Sequence, residues 1–345
     1  MLKTKQILFT KPYTAEFVEV DVGTLGDNQV LVETEYSSIS CGTEKANYSG
    51  DANVSIGPKN SVIHFPRASG YSSSGRVIAK GKNVTSVEIG DAVAMTWSFH
   101  MKINRIDEDN IIKFNPGKVS MQEAALGYIG AFPMAALRKT RLEIGESMLV
   151  MGQGILGLLA VVFAKSAGTT PVIAVDPVKS RRKKALQFGA DYALDPSEEC
   201  FTQKVKELTN GGVNTAIEVT GLGVGLDQCL DCMAKFGRVA LLGCTRDENF
   251  TIDYYRKVHG PGIQLIGAHT CARPNVESSP GYFTKNDDVK AILKLIEYNR
   301  INIKDIVDEI YLPENCADVY DRLINDKNFP VVSQFDWRNV NYEKD

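Results

Sequence analysis

The sequence predicts an α/β protein of two domains, one a β-barrel-like assembly and the other a doubly wound parallel sheet, and three observations predict it. The apolar run Met148 to Met151 meets Gly152, Gly154 and Gly157 in G-x-G-x-x-G spacing, followed by a helical pattern from Ile155 to Ala167 and a second apolar run ending on Asp176. Strand and helix patterns alternate from there to about Ala268, whereas residues 1 to about 127 read as short strands separated by turn chemistry. At 345 residues the chain is also longer than one hydrophobic core usually serves.

In chain order, strands are expected at Gln6 to Phe9, Phe17 to Val20, Gln29 to Ser37, Gly75 to Ala79 and Asp91 to Trp97. The alternation along Val30, Leu31, Val32, Glu33 and Thr34 is mixed, which predicts a partly buried strand. Ser37 to Gly50 and Phe65 to Gly75 read as polar loops able to carry chemistry. From about Tyr128 the period changes, with strands expected near residues 148 to 151, 171 to 175, 191 to 193, 214 to 218, 237 to 243 and 263 to 267. Helical crossovers between such strands give a parallel sheet. Helical patterns at Asp287 to Tyr298 and Glu314 to Ile324 and a strand near Val331 to Gln334 close the chain and return it to the first domain. The expected division is therefore 1–127 with 269–345, and 128–268 inserted between them.

The glycine turn has a specific chemistry. Gly152 permits the turn, Gly154 lets the backbone approach a pyrophosphate, and Gly157 lets helix pack on strand, while the free amides at Ile155 and Leu156 and the helix dipole attract phosphate. Asp176, 19 residues beyond Gly157, stands where a carboxylate accepts hydrogen bonds from the adenosine ribose. A dinucleotide site follows. The apolar stretch is no membrane span, because Gln153, the glycines and Lys165 interrupt it.

Composition narrows the partners. With 23% charged residues and a net charge of -3, the chain has no general electrostatic attraction to nucleic acid or to a membrane surface. MLKTKQILFTK lacks the apolar centre of a signal peptide, and seven cysteines scattered through apolar segments predict reduced thiols in a cytoplasm. Cys229 and Cys232, on an apolar helix face with no second pair, read as buried thiols.

Several of these motifs in order resemble the medium-chain dehydrogenase/reductase superfamily, the alcohol and polyol dehydrogenases. They are Cys41-Gly42-Thr43-Glu44, similar to the family's C-G-T-D; Gly90-Asp91-Ala92-Val93; the glycine turn with Asp176; Phe188-Gly189-Ala190-Asp191; Glu218-Val219-Thr220-Gly221; and Gly237-Arg238-Val239. The resemblance implies a GroES-like catalytic domain with a six-stranded Rossmann domain, a nicotinamide cofactor, a small-molecule substrate and a homodimer or homotetramer. It also implies that backbone groups around Gly243, Cys244 and Ala268, at strand ends, hold the nicotinamide carboxamide.

The departures concern zinc. Family members bind it through the Cys of C-G-T-D, the His of G-H-E and a third Cys, Asp or Glu. Here Gly70-Tyr71-Ser72 replaces G-H-E, Gly127 to Gly130 offers no thiolate or carboxylate, and Phe99 to Gln122 contains no cysteine for a structural zinc loop. A zinc site needs at least three protein ligands, so none is expected. Hydride transfer from a secondary alcohol still requires a proton acceptor and a group to hold the oxyanion. Thr43 matches the family's hydroxyl relay, Tyr71 brings a phenol where the His would stand, and His100 brings an imidazole; each has the alternative of a merely structural role. Cys41, Glu44, Trp97 and His269 are the expected pocket residues. Asp176 favours NAD over NADP, although Arg181 is placed to neutralise a 2'-phosphate. A sugar, cyclitol or polyol dehydrogenase without catalytic zinc is the expected function, with an enone or quinone reductase or a decayed cofactor-binding protein as the alternatives.

Overall fold

The computed structural model describes residues 2–51, 63–245 and 249–342. The chain forms two compact units. Unit 1 comprises Met1–Ile129, Val289–Asn299 and Ile303–Asp345; unit 2 comprises Gly130–Asp288 and Arg300–Asn302.

Unit 1 opens with strands β1 (Lys3–Lys11), β2 (Thr14–Asp21) and β3 (Gln29–Ile39), helix α1 (Cys41–Ser49), and strands β4 (Arg67–Ala68), β5 (Ser72–Lys80), β6 (Ala92–Thr96), β7 (Ile103–Asp107) and β8 (Ile111–Lys113). Helix α2 (Met121–Ala124) follows, and α3 (Gly127–Lys139) begins in unit 1 and continues as the first helix of unit 2. The chain then builds unit 2 from β9 (Met148–Met151), α4 (Ile155–Ser166), β10 (Val172–Val175), α5 (Lys179–Gln187), β11 (Tyr192–Leu194), α6 (Phe201–Leu208), β12 (Val213–Glu218), α7 (Gly223–Asp231), β13 (Met233–Leu241) and β14 (Gln264–Gly267). After α8 (Lys285–Glu297), β15 (Glu309–Tyr311), α9 (Cys316–Asn325) and β16 (Ser333–Asp336) complete unit 1.

The strands of unit 2 form one parallel sheet in the order β11-β10-β9-β12-β13-β14. This doubly wound order reverses direction at β9 and places ligands outside the carboxyl ends of the strands. Leu149, Ile173, Val175, Ala216 and Val239 pack in its core. Gly157 is needed here, since a Cβ on it would lie 1.8 Å from the Gly152 carbonyl oxygen.

Unit 1 holds a sheet of order β15-β16-β3-β5-β6-β8, with β7 also on β3, and a smaller sheet β2-β1-β4. The bridge between Gln6 and Met101 and the amide of Ile7 donating to the carbonyl of His100 tie the two together. The mixed pattern along β3 has a physical reason. Its inward positions are Val30, Val32 and Thr34, and the Thr34 hydroxyl is buried where it accepts a hydrogen bond from Asn104 at 3.0 Å. The expected polar loops are largely ordered elements. Ser37 to Ile39 extend β3, Cys41 to Ser49 form α1, and Ser72 to Ser74 open β5 with hydroxyls donating to the carbonyls of Ala125 and Met121 and to Ser98.

β16 returns to β3, pairing Ser333 with Ile39 and Asp336 with Tyr36. Just beyond it, Trp337 is fully buried among Ile7, Phe9, Ile39, Tyr320 and Phe335, and its indole donates to the Ser37 hydroxyl at 2.8 Å. Trp337→Ala is expected to cost about 3–5 kcal/mol through the cavity and the lost hydrogen bond. Urea unfolding measures this; a loss below about 1 kcal/mol would show that the returning chain is not part of the core.

Candidate functional site

In unit 1 the candidate residues converge on the start of α1. Ser40 stands at its N-cap, and Glu44, one turn on, folds its carboxylate back so that Oε1 accepts from the Ser40 amide at 2.8 Å. That carboxylate is 1% exposed. It also accepts the Tyr320 hydroxyl from α9, while His100 Nε2 lies 3.2 Å from each of its oxygens. His100 Nδ1 is 2.6 Å from the Ser37 hydroxyl, which in turn accepts the Trp337 indole N–H. Facing the two carboxylate oxygens of Glu44, Nε2 carries a ring proton, and Nδ1 has the Ser37 hydroxyl as its partner. His100 is thus wholly buried with both nitrogens engaged. Gly70 makes room for it, since a Cβ there would lie 2.7 Å from the His100 amide nitrogen, and φ at Gly70 is +86°.

Tyr71 enters from the other side. Its phenolic oxygen is buried, with Ser40, Thr43 and Glu44 as its polar neighbours. Burial, and next the charge of Glu44, push its pKa well above the usual phenol value. The group is therefore a protonated donor throughout the neutral range. Its ring meets that of Tyr128 edge-on at 5.8 Å, and the half-exposed Trp97 meets Tyr128 at 5.4 Å, so the three aromatics form one wall. Thr43, Glu44, Tyr71 and His100 are brought together, and Trp97 joins them through Tyr128. Cys41 is half-buried with its thiol 3.9 Å from the Pro330 carbonyl oxygen.

Among the described residues no three His, Cys, Asp or Glu side chains gather as a metal ion requires, and the residues around Cys41 do not fit zinc. Cys229 and Cys232 are buried free thiols; burial raises Cys229 strongly and Cys232 to about 12.

In unit 2 the turn after β9 fits a dinucleotide. Gly152 sits at φ +98°, and a Cβ on Gly154 would meet nothing within 4 Å, which leaves its approach open to a pyrophosphate beside the first turn of α4. Asp176, buried at the end of β10, accepts the amides of Gln153 and Val178, each at 2.8 Å, and Arg181 lies 3.7 Å away. Between the ends of β12 and β13, the buried Glu218 accepts the amides of Thr220 and Gly221, and a Cβ on Gly243 would strike the Gly221 nitrogen at 2.3 Å. Cys244 is exposed there. Ala268, past β14, is buried and donates its amide to the Leu241 carbonyl. His269 is half-buried; its Nδ1 accepts the Cys271 amide at 3.2 Å, and burial and then Lys139 lower its pKa. His269 belongs to unit 2.

Ser37, Ser40, Tyr128, Tyr320 and Trp337 are the site neighbours that sequence reading misses. Tyr320 lies 276 positions from its partner Glu44, and no local spacing relates them.

Residues 26–141 match the family model of the alcohol dehydrogenase GroES-like domain, and residues 156–279 that of the zinc-binding dehydrogenase. L-threonine 3-dehydrogenase of Pyrococcus horikoshii is 33% identical over 298 residues, 77% of this chain and 82% of its own. D-guloside 3-dehydrogenase of Escherichia coli is 24% identical over 334 residues, covering 92% of this chain and 95% of that protein. The crystal structure of 2R,3R-butanediol dehydrogenase from Bacillus subtilis superposes with a TM-score of 0.80 at 21% identity, over 96% of this chain and 99% of that one.

The glycine turn is testable without knowledge of substrate. Gly154→Ala, at an ordinary φ of -73° with open space for the methyl, is expected to change stability by less than about 1 kcal/mol. It should nonetheless weaken NADH binding by about tenfold or more, because the methyl occupies the phosphate's approach. Fluorescence titration beside thermal unfolding gives both values, and unchanged NADH affinity would remove the turn from the binding site.

Proposed function

Because the chain belongs to the zinc-type medium-chain dehydrogenase/reductase superfamily, we propose that it oxidises a secondary alcohol of a sugar, cyclitol or polyol with NAD, and does so without a catalytic zinc. The observation that carries this reading is Tyr71, a buried phenol beside Ser40, Thr43 and Glu44 where an imidazole ligand would otherwise be expected. The relatives' names point the same way, toward secondary alcohols on polar molecules, in threonine and in a guloside.

The nicotinamide, when bound, supplies the acceptor for the hydride leaving the carbinol carbon. The alcohol oxygen must shed its proton as that carbon–hydrogen bond breaks. Thr43 orients this oxygen and starts the proton toward Ser40 and the Glu44 carboxylate. Tyr71, kept protonated by burial and by Glu44, donates to the same oxygen and steadies its developing charge. His100 and Tyr320 hold Glu44 in place, so His100 acts behind the carboxylate rather than on substrate. Trp97, half-exposed beside Tyr128, gives a sugar ring a stacking face. Cys41 lines the same place as a small thiol.

On the cofactor side, the two phosphates rest on the amides of Ile155 and Leu156 past the Gly152 turn, and Asp176 accepts the adenosine ribose hydroxyls. Its negative charge disfavours a 2'-phosphate. Arg181 at 3.7 Å belongs to that carboxylate, which supports NAD over NADP. Gly243, Cys244 and Ala268 would present the backbone groups for the carboxamide. A homodimer formed at the β14 edge, whose residues are largely exposed, fits the family, and seven free thiols fit a cytoplasmic setting.

The test is NAD reduction across a panel of sugars, cyclitols and acyclic polyols in the presence of a strong chelator. Turnover is expected to survive the chelator, and activity that returns only with added zinc would overturn the metal-free reading. Tyr71→Phe is expected to lower kcat by about 10²-fold while leaving NADH affinity unchanged. Asp176→Ser should narrow the preference for NAD over NADP by about tenfold; a wild-type preference for NADP would reverse the cofactor assignment.

A further inference from the structure

The segment after β14 is held by charges rather than by apolar packing alone. Lys139, the last residue of α3, is 7% exposed. Its ammonium donates to the carbonyl of Gly267 at 2.8 Å and to that of Ala272, with the Tyr282 ring 5.9 Å away. Next to it, Arg138 donates to the wholly buried Asp288 at 2.8 Å and stacks on Phe283 at 3.8 Å. Arg273 reaches the same carboxylate at 3.3 Å and donates to the Ala131 carbonyl at 2.9 Å. Burying an ammonium is costly unless acceptors replace its water, and an apolar side chain would cover α3 without that cost. The two acceptors are the ends of one short turn. Gly267 is the final residue of β14, and Ala272 closes the turn through its amide to the His269 carbonyl at 2.8 Å. One Nζ therefore spans the turn and fixes its width.

The position of this turn on the sheet gives it a function. In a doubly wound sheet the ligand lies across the carboxyl ends of the strands. The glycine turn follows β9 and Asp176 ends β10, so the adenosine half belongs on that side and the nicotinamide half falls to β12, β13 and β14. The turn from Gly267 to Ala272 carries Ala268 and His269 at the end of β14. The Cys271 amide on Nδ1 leaves the His269 ring proton on Nε2, available to a ligand.

We propose that Lys139 is a positioning residue for the nicotinamide end of the dinucleotide, bridging the carbonyls of Gly267 and Ala272 so that Ala268 and His269 are presented in a fixed conformation. This rests on the dinucleotide reading given above. Two ligands separate it from a general structural role: NADH, which has the nicotinamide, and ADP-ribose, which lacks it. Lys139→Met keeps the stem and removes the donors. It is expected to weaken NADH binding by about tenfold and to leave ADP-ribose binding within about twofold of wild type, both by calorimetric titration. Lys139→Arg, which retains charge and donors, should recover part of the NADH affinity. If Lys139→Met does not fold, Lys139→Gln is titrated in the same way. Equal weakening of the two ligands, or undiminished NADH affinity, overturns the positioning role. Wild-type protein that binds neither NADH nor ADP-ribose overturns the dinucleotide reading itself.

Discussion

The organisation of unit 1 depends on one buried carboxylate. Glu44 has almost no contact with water and is satisfied by the Ser40 amide, the Tyr320 hydroxyl and the His100 imidazole. Each unmet hydrogen bond on such a group would cost about 1–3 kcal/mol, so the fold is constrained to deliver all of these donors at once. They come from α1 itself, from the segment before β7 and from α9 near the end of the chain. Meeting the needs of Glu44 therefore requires the C-terminal part of the chain to return after unit 2 has been built. Ser37 strengthens the same requirement, since its hydroxyl joins His100 to Trp337, beyond β16. The return of β16 to β3 and the burial of Trp337 are the packing side of this constraint, and the carboxylate is its polar side.

Unit 2 solves its polar problem locally. Asp176 accepts amides two residues ahead and 23 behind, and Glu218 accepts those of Thr220 and Gly221. Both carboxylates cap loops at the carboxyl ends of parallel strands, where backbone donors are left unpaired by the end of the ladder. The glycines complete the arrangement by removing Cβ atoms that would strike backbone, at Gly157 against Gly152 and at Gly243 against Gly221. The residues that shape the dinucleotide turn therefore lie close together in sequence or at strand ends of fixed order.

That difference decides what could be read in advance. All six strands of unit 2 are legible, with β13 beginning four residues before its expected start: β9, β10 and β12 are buried on both faces and read as apolar runs, and helical periods separate the strands. In unit 1 the expected strands are present, but β4, β7, β8 and β15 are not foreseen, and the serines of β5 look like loop chemistry. Those serines are buried, Ser72 and Ser74 donating to carbonyls of α2 and its C-terminal flank and Ser73 to Ser98, contacts that no local pattern encodes. Thr34 and Lys102 likewise break the apolar alternation while being buried, the first beside Asn104 and the second donating to the Trp337 carbonyl. The candidate site divides in the same way. Thr43, Tyr71 and His100 can be named from motif positions, yet their partners cannot: the structure buries His100 with Nδ1 at the Ser37 hydroxyl and Nε2 at the Glu44 carboxylate. Tyr320 carries no signal at all until the fold brings it there.

On the proposed reading, the buried cluster serves as a proton relay without a metal. A zinc ion would polarise an alcohol oxygen and hold it in a fixed direction, so a site lacking three ligands needs other groups for both tasks. The Tyr71 phenol, raised in pKa by burial and by Glu44, stays protonated and can direct one strong hydrogen bond at the oxygen. Direction comes from rigidity, which here is supplied by neighbours: the edge-on ring of Tyr128 on one side, and the Ser40 and Thr43 hydroxyls on the other. The proton needs a destination, which the proposed reading gives to the Glu44 carboxylate, with His100 beside it and Ser37 on the far side of that ring. The polar groups that make unit 1 hard to read from sequence are thus the ones to which the proposed reading assigns the hydride-transfer chemistry.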